Sequence, residues 1–313
     1  MIDLLKTQTQ FLKDLENAGK SANTLKNYRA DLQAFNKFLQ ERKRPMMLKS
    51  FPTAQAHEYQ GHLEATYGSP NSIRRRVQAL RLYFDFLVSR HGFPDNPIKQ
   101  MAVAPKVLDR PAPVPFKELV KLKNRWEEKV RATKGLESLS ALRNLMVLVL
   151  IYEGGLKVSD LARLEISDML NDKKGLRALV RPPRRDPYTI PLGPAARALW
   201  PVYRTALETA WPGKEGAKFV LFNANPHRIL AGSLSPRGTE LVFEEVRRTL
   251  KIEITARNLR QACVFRWMCL QTPASQIKEW LGVAPDYDMG LFEKVFAEDK
   301  PLYLDLPAGR VHA

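Results

Sequence analysis

Basic side chains of the types that bind phosphate occur in several separate stretches of the second half of the chain. Guanidinium and ammonium groups donate charge-assisted hydrogen bonds to phosphate oxygens, and a planar guanidinium can donate two in parallel. Whether these residues act together depends on the elements that position them. The candidates are Lys157, Arg181, Arg184, Arg185, Arg237, Arg257 and Arg260.

The stretch from Ile254 to Phe296 predicts three short helices. Thr255 is a suitable N-cap for the first, and Ser275 opens the second, which ends at Gly282. The third helix is predicted from residue 288 to residue 297. Arg257 and Arg260 would therefore lie one turn apart at the start of the first helix.

This layout resembles the C-terminal half of a tyrosine recombinase (phage integrase/Xer) catalytic domain. In that family the first helix carries H-x-x-R, the second ends in L-G-H, and the nucleophilic tyrosine follows nine residues later. Here the H-x-x-R position reads Arg257 to Arg260, and the histidine of L-G-H is Val283. Phe292 stands at the position of the tyrosine.

Two further segments resemble the same family. The sequence G-G-L-K-V-S-D-L, which contains Lys157 and Ser159, is similar to T-G-L-R-V-S-E-L, where the arginine is catalytic and the serine caps a helix. The family places a lysine in a β-hairpin ahead of V-P-L-G. The corresponding position lies near Pro183, between strands predicted at 176–181 and 188–191, and has no lysine.

The resemblance implies a tyrosine transesterification chemistry that uses no metal and no cofactor, and most of its residues are absent here. Of six positions only Arg260 is kept. A phenyl ring at 292 has no nucleophilic oxygen, and a guanidinium at 257 does not exchange protons near neutral pH. We therefore expect a chain that is not an active enzyme, with Phe292 as a packing residue. Tyr287 and Tyr303 are the alternative nucleophiles.

The resemblance also implies that Lys157, Arg257 and Arg260 converge where a phosphate once reacted. We favour a retained phosphate pocket over the alternative that these cations form surface ion pairs.

The N-terminal part predicts four amphipathic helices. The pattern S-x-x-T-x-x-x-Y-x-x-D-L-x-x-F, starting at Ser21, resembles the SAM-like core-binding domain of the same family. A helix N-terminus between Lys20 and Lys26 would offer a seat for phosphate. The fourth helix is either a DNA-facing element, which we favour, or a solvated basic face. Its basic residues are Arg74, Arg75, Arg76 and Arg81.

These elements predict a mainly α fold with a small β-sheet, in a two-domain tyrosine-recombinase architecture. We expect a helical core-binding domain at 1–102, a proline-rich linker at 103–115 and a catalytic-type domain at 116–313. The linker would let the two domains grip a duplex as a clamp. In the family the C-terminal segment is exchanged between subunits. The apolar residues of segment 298–313 predict that it packs on a neighbouring protomer or on its own domain.

Composition is consistent with a polyanionic partner. The 313 residues carry 50 Lys and Arg against 33 Asp and Glu, a net charge of +17, which favours nucleic acid over a basic enzyme with a solvated surface. We expect no membrane-spanning helix and no signal peptide, which favours a cytoplasmic, nucleoid-associated protein. The spacing of Cys263 and Cys269 predicts neither a disulfide nor a metal site.

Three functions are compatible with these residues. The leading prediction is a duplex-DNA-binding protein without cleavage activity, with an architectural, regulatory or chromosome-maintenance role. The first alternative is an active recombinase or integrase with an altered site. The second is an interaction protein that uses the fold to bind another recombinase and has lost DNA binding. For any of these functions, the C-terminal segment is the expected contact with a second copy or with another recombinase.

Overall fold

The computed structural model describes residues 1–103, 109–183, 185–211 and 217–309. It is mostly helical with three small antiparallel sheets, so the prediction of a mainly α fold with little β-structure is confirmed. The chain divides into two compact units, residues 1–109 and 110–313. The boundary falls inside the proline-rich segment predicted as a linker, of which residues 104–108 lie outside the described part.

The first unit is a helical domain around an aromatic core. Its four helices follow a short strand and bury side chains such as Phe35, Tyr83 and Phe84 completely. The Ser21 hydroxyl caps the second helix by accepting from the Thr24 amide, as predicted. The elements are β1 (Ile2–Asp3), α1 (Leu4–Asn17), α2 (Ala22–Glu41), β2 (Met47–Leu48), α3 (Thr53–Thr66) and α4 (Pro70–His91). A short 3-10 helix, Pro97–Gln100, follows α4.

The other elements of the second unit pack around one apolar helix, α6 (Gly135–Tyr152). This 18-residue helix has a mean hydropathy of 1.4, enough by length and composition alone to cross a membrane. Two thirds of it, 67%, is buried inside the unit, as expected for a core helix. The helices and strands of the second unit are α5 (Phe116–Ala132), α6 (Gly135–Tyr152), α7 (Val158–Leu161), β3 (Met169–Asp172), β4 (Gly175–Val180), β5 (Tyr188–Pro191), α8 (Pro194–Ala210), β6 (Phe222–Ala224), β7 (Ile229–Ser233), α9 (Pro236–Leu250), α10 (Ala256–Cys269), α11 (Ala274–Trp280) and α12 (Gly290–Asp299).

Several local predictions need correction. The predicted hairpin is a three-stranded sheet in the order β3-β4-β5, because the short segment Met169–Asp172 pairs with β4. Ser159 and Ser275 are each the second residue inside a helix, so neither is the N-cap. Lys157 and Pro273 hold those cap positions, without a side-chain hydrogen bond. The cap of α10 by Thr255 is confirmed.

The C-terminal segment packs on its own unit through residue 309. The Tyr303 hydroxyl donates to the Val114 carbonyl at 2.9 Å, and the Tyr152 hydroxyl donates to the Leu304 carbonyl at 2.7 Å. Arg266 pairs with Asp305, and Leu306 is 1% exposed. Of the two predicted arrangements, the structure shows packing on the same domain.

Replacing Tyr303 by Ala should destabilise the second unit by about 3–5 kcal/mol, the usual cost of removing a buried aromatic side chain. The Tyr303 ring is 4% exposed and stacks on Phe265 at a centroid distance of 6.0 Å. Urea unfolding followed by tryptophan fluorescence isolates this effect, because all five tryptophans lie in the second unit. Leu302→Ala is the matched control, since Leu302 is 68% exposed and should change stability by less than about 0.5 kcal/mol. Equal losses of unfolding free energy in the two variants would contradict the packing of the C-terminal segment (the tail) on its own unit.

A buried carboxyl group, that of Glu153, should make the stability of the second unit depend on pH. It accepts from the amides of Ala195 and Ala196 at 3.2 and 2.9 Å, at the start of α8. Burial raises its pKa from 4.5 to about 7, against the opposing effects of these amides and of Arg266. Asp305, which shares Arg266 with Glu153, raises that pKa further.

Because the folded-state pKa of Glu153 is raised, its contribution to stability is complete below about pH 4.5 and is lost as pH rises to about 7. Since a shift of one pKa unit corresponds to about 1.4 kcal/mol, Glu153 contributes about 3 kcal/mol to the free energy of unfolding at low pH. We expect Glu153→Gln to remove this part of the pH dependence, measured by urea unfolding between pH 4.5 and 8. Glu128→Gln, at an exposed position of α5, should retain it. Identical pH profiles for the two variants would exclude Glu153 as the source.

Candidate nucleic-acid interface

Three cations from separate elements meet at the carboxyl end of α11. Arg260, from α10, donates to the Leu281 carbonyl at 2.5 Å. Lys157, the residue before α7, donates to the Gly282 carbonyl at 3.5 Å. Arg185, from the β4–β5 connection, donates to the Val283 carbonyl at 3.3 Å. Three consecutive carbonyls therefore hold three positive side chains side by side.

The end of α11 explains why the cations gather there. Gly282 has a φ of +59°, a left-handed conformation that ends the helix. The last carbonyls of a helix lack intrahelical partners and carry the negative end of its dipole. Cationic side chains donate hydrogen bonds to these carbonyls and place positive charge at the negative end of the dipole. Arg260 is held further by a bond from its Nε to the Gly155 carbonyl at 2.6 Å.

The electrostatics of this cluster favour an anion. Burial lowers the pKa of Lys157, and the neighbouring Arg260 and Arg185 lower it further, while Asp160 opposes them. Burial also lowers the pKa of Arg260. Both pKa shifts indicate that the positive charges of Lys157 and Arg260 are partly removed from solvent. An anion that accepts the remaining N–H groups would relieve this charge.

Phe292, at the position predicted for the nucleophile, packs against the apolar core. The Phe292 ring packs against Phe265 with a centroid distance of 5.7 Å, in an aromatic cluster with Phe296 and Tyr303. Val283 contributes its side chain to the same core, while its carbonyl accepts from Arg185. Arg257 is exposed in the first turn of α10, one turn before Arg260. Phe292 is thus a packing residue.

Two of the remaining basic candidates of the second unit, Arg181 and Arg237, have acidic partners of their own. Arg181 pairs with the buried Asp168 at 2.8 Å, and Arg237 pairs with Glu244 at 2.6 Å. Arg184 lies outside the described residues. Of the hairpin arginines within the described part, only Arg185 joins Lys157 and Arg260.

In the first unit, three arginines of α4 make specific internal contacts. Arg75 and Arg76 pair with the buried Asp31 of α2. The guanidinium of Arg76 also lies 3.6 Å from the centroid of the Tyr67 ring. Arg81 donates to the carbonyls of residues 98, 99 and 101. These three arginines therefore have partners within their own unit, which does not fit the alternative of a simply solvated basic face, and DNA contact by α4 stays a prediction.

Lys20 and Lys26 are exposed beside the amino end of α2, as predicted, and Arg74 is half-buried on α4. The N-terminus of α2 is capped by Ser21, which orders the first turn between the two lysines. These three residues remain predicted DNA contacts of the first unit.

Sequence reasoning missed two side chains of the cation cluster, Asp160 and Tyr188. Tyr188 begins β5, and the Arg185 guanidinium lies 5.0 Å from the centroid of its ring. Both residues act electrostatically on Arg260. No local pattern reveals this, because the contact between Tyr188 and the α11 terminus joins segments that are distant in the chain.

The chain is similar to known recombinases. Residues 9–91 match the family described as "Phage integrase, N-terminal SAM-like domain". Tyrosine recombinase XerC from Staphylococcus haemolyticus is 25% identical over 264 residues, which cover 83% of this chain and 78% of that protein. XerC from Myxococcus xanthus is 29% identical over 178 residues, about half of each protein (56% and 55%).

Solved structures share the fold at low sequence identity. Lambda integrase (residues 75–356) bound to DNA has a TM-score of 0.68 and 16% identity, covering 96% of this chain and 99% of that one. XerH bound to a palindromic difH substrate has a TM-score of 0.66 and 13% identity, covering 94% and 81%. These similarities confirm the predicted architecture of a SAM-like helical domain followed by a catalytic-type domain.

Proposed function

Because the chain belongs to the tyrosine recombinase family, we propose that it binds duplex DNA without cutting it, in an architectural, regulatory or chromosome-maintenance role. The observation that carries the proposal is the contrast within one site. Lys157, Arg185 and Arg260 are held together by the carbonyls at the end of α11, while the partly buried Phe292 packs against the apolar core.

Duplex DNA is the anion that suits the whole chain. Its net charge is +17, and exposed lysines flank the start of α2 in the other unit. The lambda integrase neighbour is bound to DNA and the XerH neighbour to a palindromic difH substrate, which supports DNA as the partner here. The segment 103–115 then links two DNA-binding units. A cytoplasmic location with the nucleoid accompanies this role.

The absence of cleavage follows from the side chains at the family's catalytic positions. Lys157 keeps a charge but lacks the bidentate fork of arginine. Val283 and Phe292 have no group that transfers a proton or attacks phosphorus. Only Arg260 retains both its type and its place, so the site binds phosphate but lacks the groups for transesterification.

The cation cluster can be tested by fluorescence anisotropy with a duplex. Arg185→Ala should weaken binding and reduce the slope of log K against log salt by about 0.9, the contribution of one phosphate contact. Arg204→Ala is the charge-matched control, because exposed Arg204 pairs with Glu208 on α8. If both variants bind like the unaltered protein, the cluster does not contact DNA.

One observation favours an active recombinase as a second candidate. Tyr287 is 42% exposed, and its phenol lies near enough to Arg260 to act on the pKa of that guanidinium. A nucleophile at 287 would have Arg260 near it. Cleavage that disappears in Tyr287→Phe would establish this alternative.

We also propose that association with a second recombinase subunit uses the outer face of the tail. Lambda integrase neighbours include a dimer on a COC' core site and a tetramer on a Holliday junction. In this chain Tyr303 and Leu306 are buried in their own unit, whereas Leu302 and Leu304 are exposed. The exposed pair is the part of the tail available for such a contact.

A further inference from the structure

The hydroxyl of Tyr188 lies beside Gly282, whose carbonyl accepts from Lys157 of the cation cluster. A Cβ atom built on Gly282 would come within 2.2 Å of that hydroxyl oxygen. Lys157 reaches the carbonyl of the same glycine, at 3.5 Å. The Arg185 guanidinium covers the Tyr188 ring. The phenol therefore shares one small region with the groups proposed to bind phosphate.

This hydroxyl is a hydrogen-bond donor at neutral pH. Burial and the nearby Asp160 raise the pKa of Tyr188 above its ordinary value of 10.0, although Arg260 and Arg185 act in the opposite direction. The proton is thus retained. Within the described residues the hydroxyl makes no hydrogen bond, although Tyr188 is only half-exposed.

A phenol among cations directs its proton away from them. An N–H donor cannot accept that proton, and an anion seated on the three cations can. The ring is also fixed in place, because it begins β5 through its pairing with Val180 and is covered by Arg185. The position is therefore prearranged for an oxygen acceptor that arrives with the anion.

We propose that Tyr188 donates a hydrogen bond to the phosphate oxygen bound by Lys157, Arg185 and Arg260. The inference rests on the proposed DNA-binding function and adds a neutral donor to it, at a position that the family resemblance does not supply. Gly282 then has two tasks. It ends α11 in a left-handed conformation, and its missing side chain leaves room for the hydroxyl.

The test compares Tyr188→Phe with Tyr152→Phe in duplex binding at several salt concentrations. Tyr188→Phe should bind about ten- to a hundredfold more weakly, as expected for a lost hydrogen bond to a charged group. The salt slope should not change, because a neutral donor releases no counterion. Tyr152→Phe also removes a phenol hydroxyl, but one that donates to the Leu304 carbonyl, and this variant should keep full affinity.

Thermal melting separates binding from folding. Tyr188→Phe should melt like the unaltered protein, because its hydroxyl has no internal partner within the described residues. Unchanged affinity in Tyr188→Phe, with weaker binding in Arg185→Ala, would overturn this inference and leave the proposed function standing. A reduced salt slope in Tyr188→Phe would also overturn it, since the ring would then act only by positioning Arg185. No binding by the unaltered protein would overturn the proposed function and this inference together.

Discussion

The affinity of the intact protein for duplex DNA should fall by about 10³–10⁵ between roughly 50 and 200 mM salt. That range corresponds to about six to ten phosphate contacts, each contributing a slope of about −0.9 in log K against log salt. We expect each unit to supply part of these contacts, beside Lys20 and Lys26 in the first and around Lys157 and Arg185 in the second. Anisotropy titrations at four or more salt concentrations measure the slope.

Charge-matched variants on α2 provide the control in the first unit. Lys26→Gln removes a proposed contact, whereas Lys37→Gln removes the same charge from a residue paired with Glu41. The two positions lie about 16 Å apart along the helix axis. Only Lys26→Gln should reduce the slope. Binding that is flat across the salt range, or equal changes in both variants, would be incompatible with the proposed interface.

The second prediction concerns covalent chemistry. The protein should form no phosphotyrosyl adduct with a nicked suicide duplex, and Phe292→Tyr should form none either. The Phe292 side chain packs against Phe265, and the other partners are still missing. Each general acid or base contributes about 10²–10⁴ in rate, and groups that act as a unit are not restored one at a time.

A set of combined substitutions provides the positive comparison. Phe292→Tyr together with Lys157→Arg, Arg257→His and Val283→His should give at most a trace of product on denaturing gels. A protease-sensitive shifted band from the unaltered protein would falsify the proposed absence of cleavage. Tyr287→Phe and Tyr303→Phe would then identify the hydroxyl. The Tyr303 hydroxyl is already bonded to Val114, and burial raises its pKa to about 12.

The sequence by itself determined the features that depend on neighbours within a few residues. Amphipathic spacing located the helices. The caps at Ser21 and Thr255 were predictable, because each hydroxyl accepts from an amide three residues later. The same reasoning was wrong at Ser159 and Ser275, because each helix begins one residue before the serine, at Val158 and Ala274, and its N-cap is Lys157 or Pro273. Short strands such as Met169–Asp172 escaped prediction, because their pairing with β4 supplies the stability that their length does not.

The tertiary structure alone decided which cations act together. Arg181 and Arg185 are close in sequence, yet Arg181 is neutralised by Asp168 and Arg185 reaches the end of α11. Arg75 is paired with Asp31, which lies 44 residues away. A charged side chain takes the partner that packing places within about 4 Å, and that distance is set by the fold and not by spacing along the chain. For the same reason the sequence predicted an apolar tail, and only the fold showed that Tyr303 and Leu306 bury themselves in their own unit.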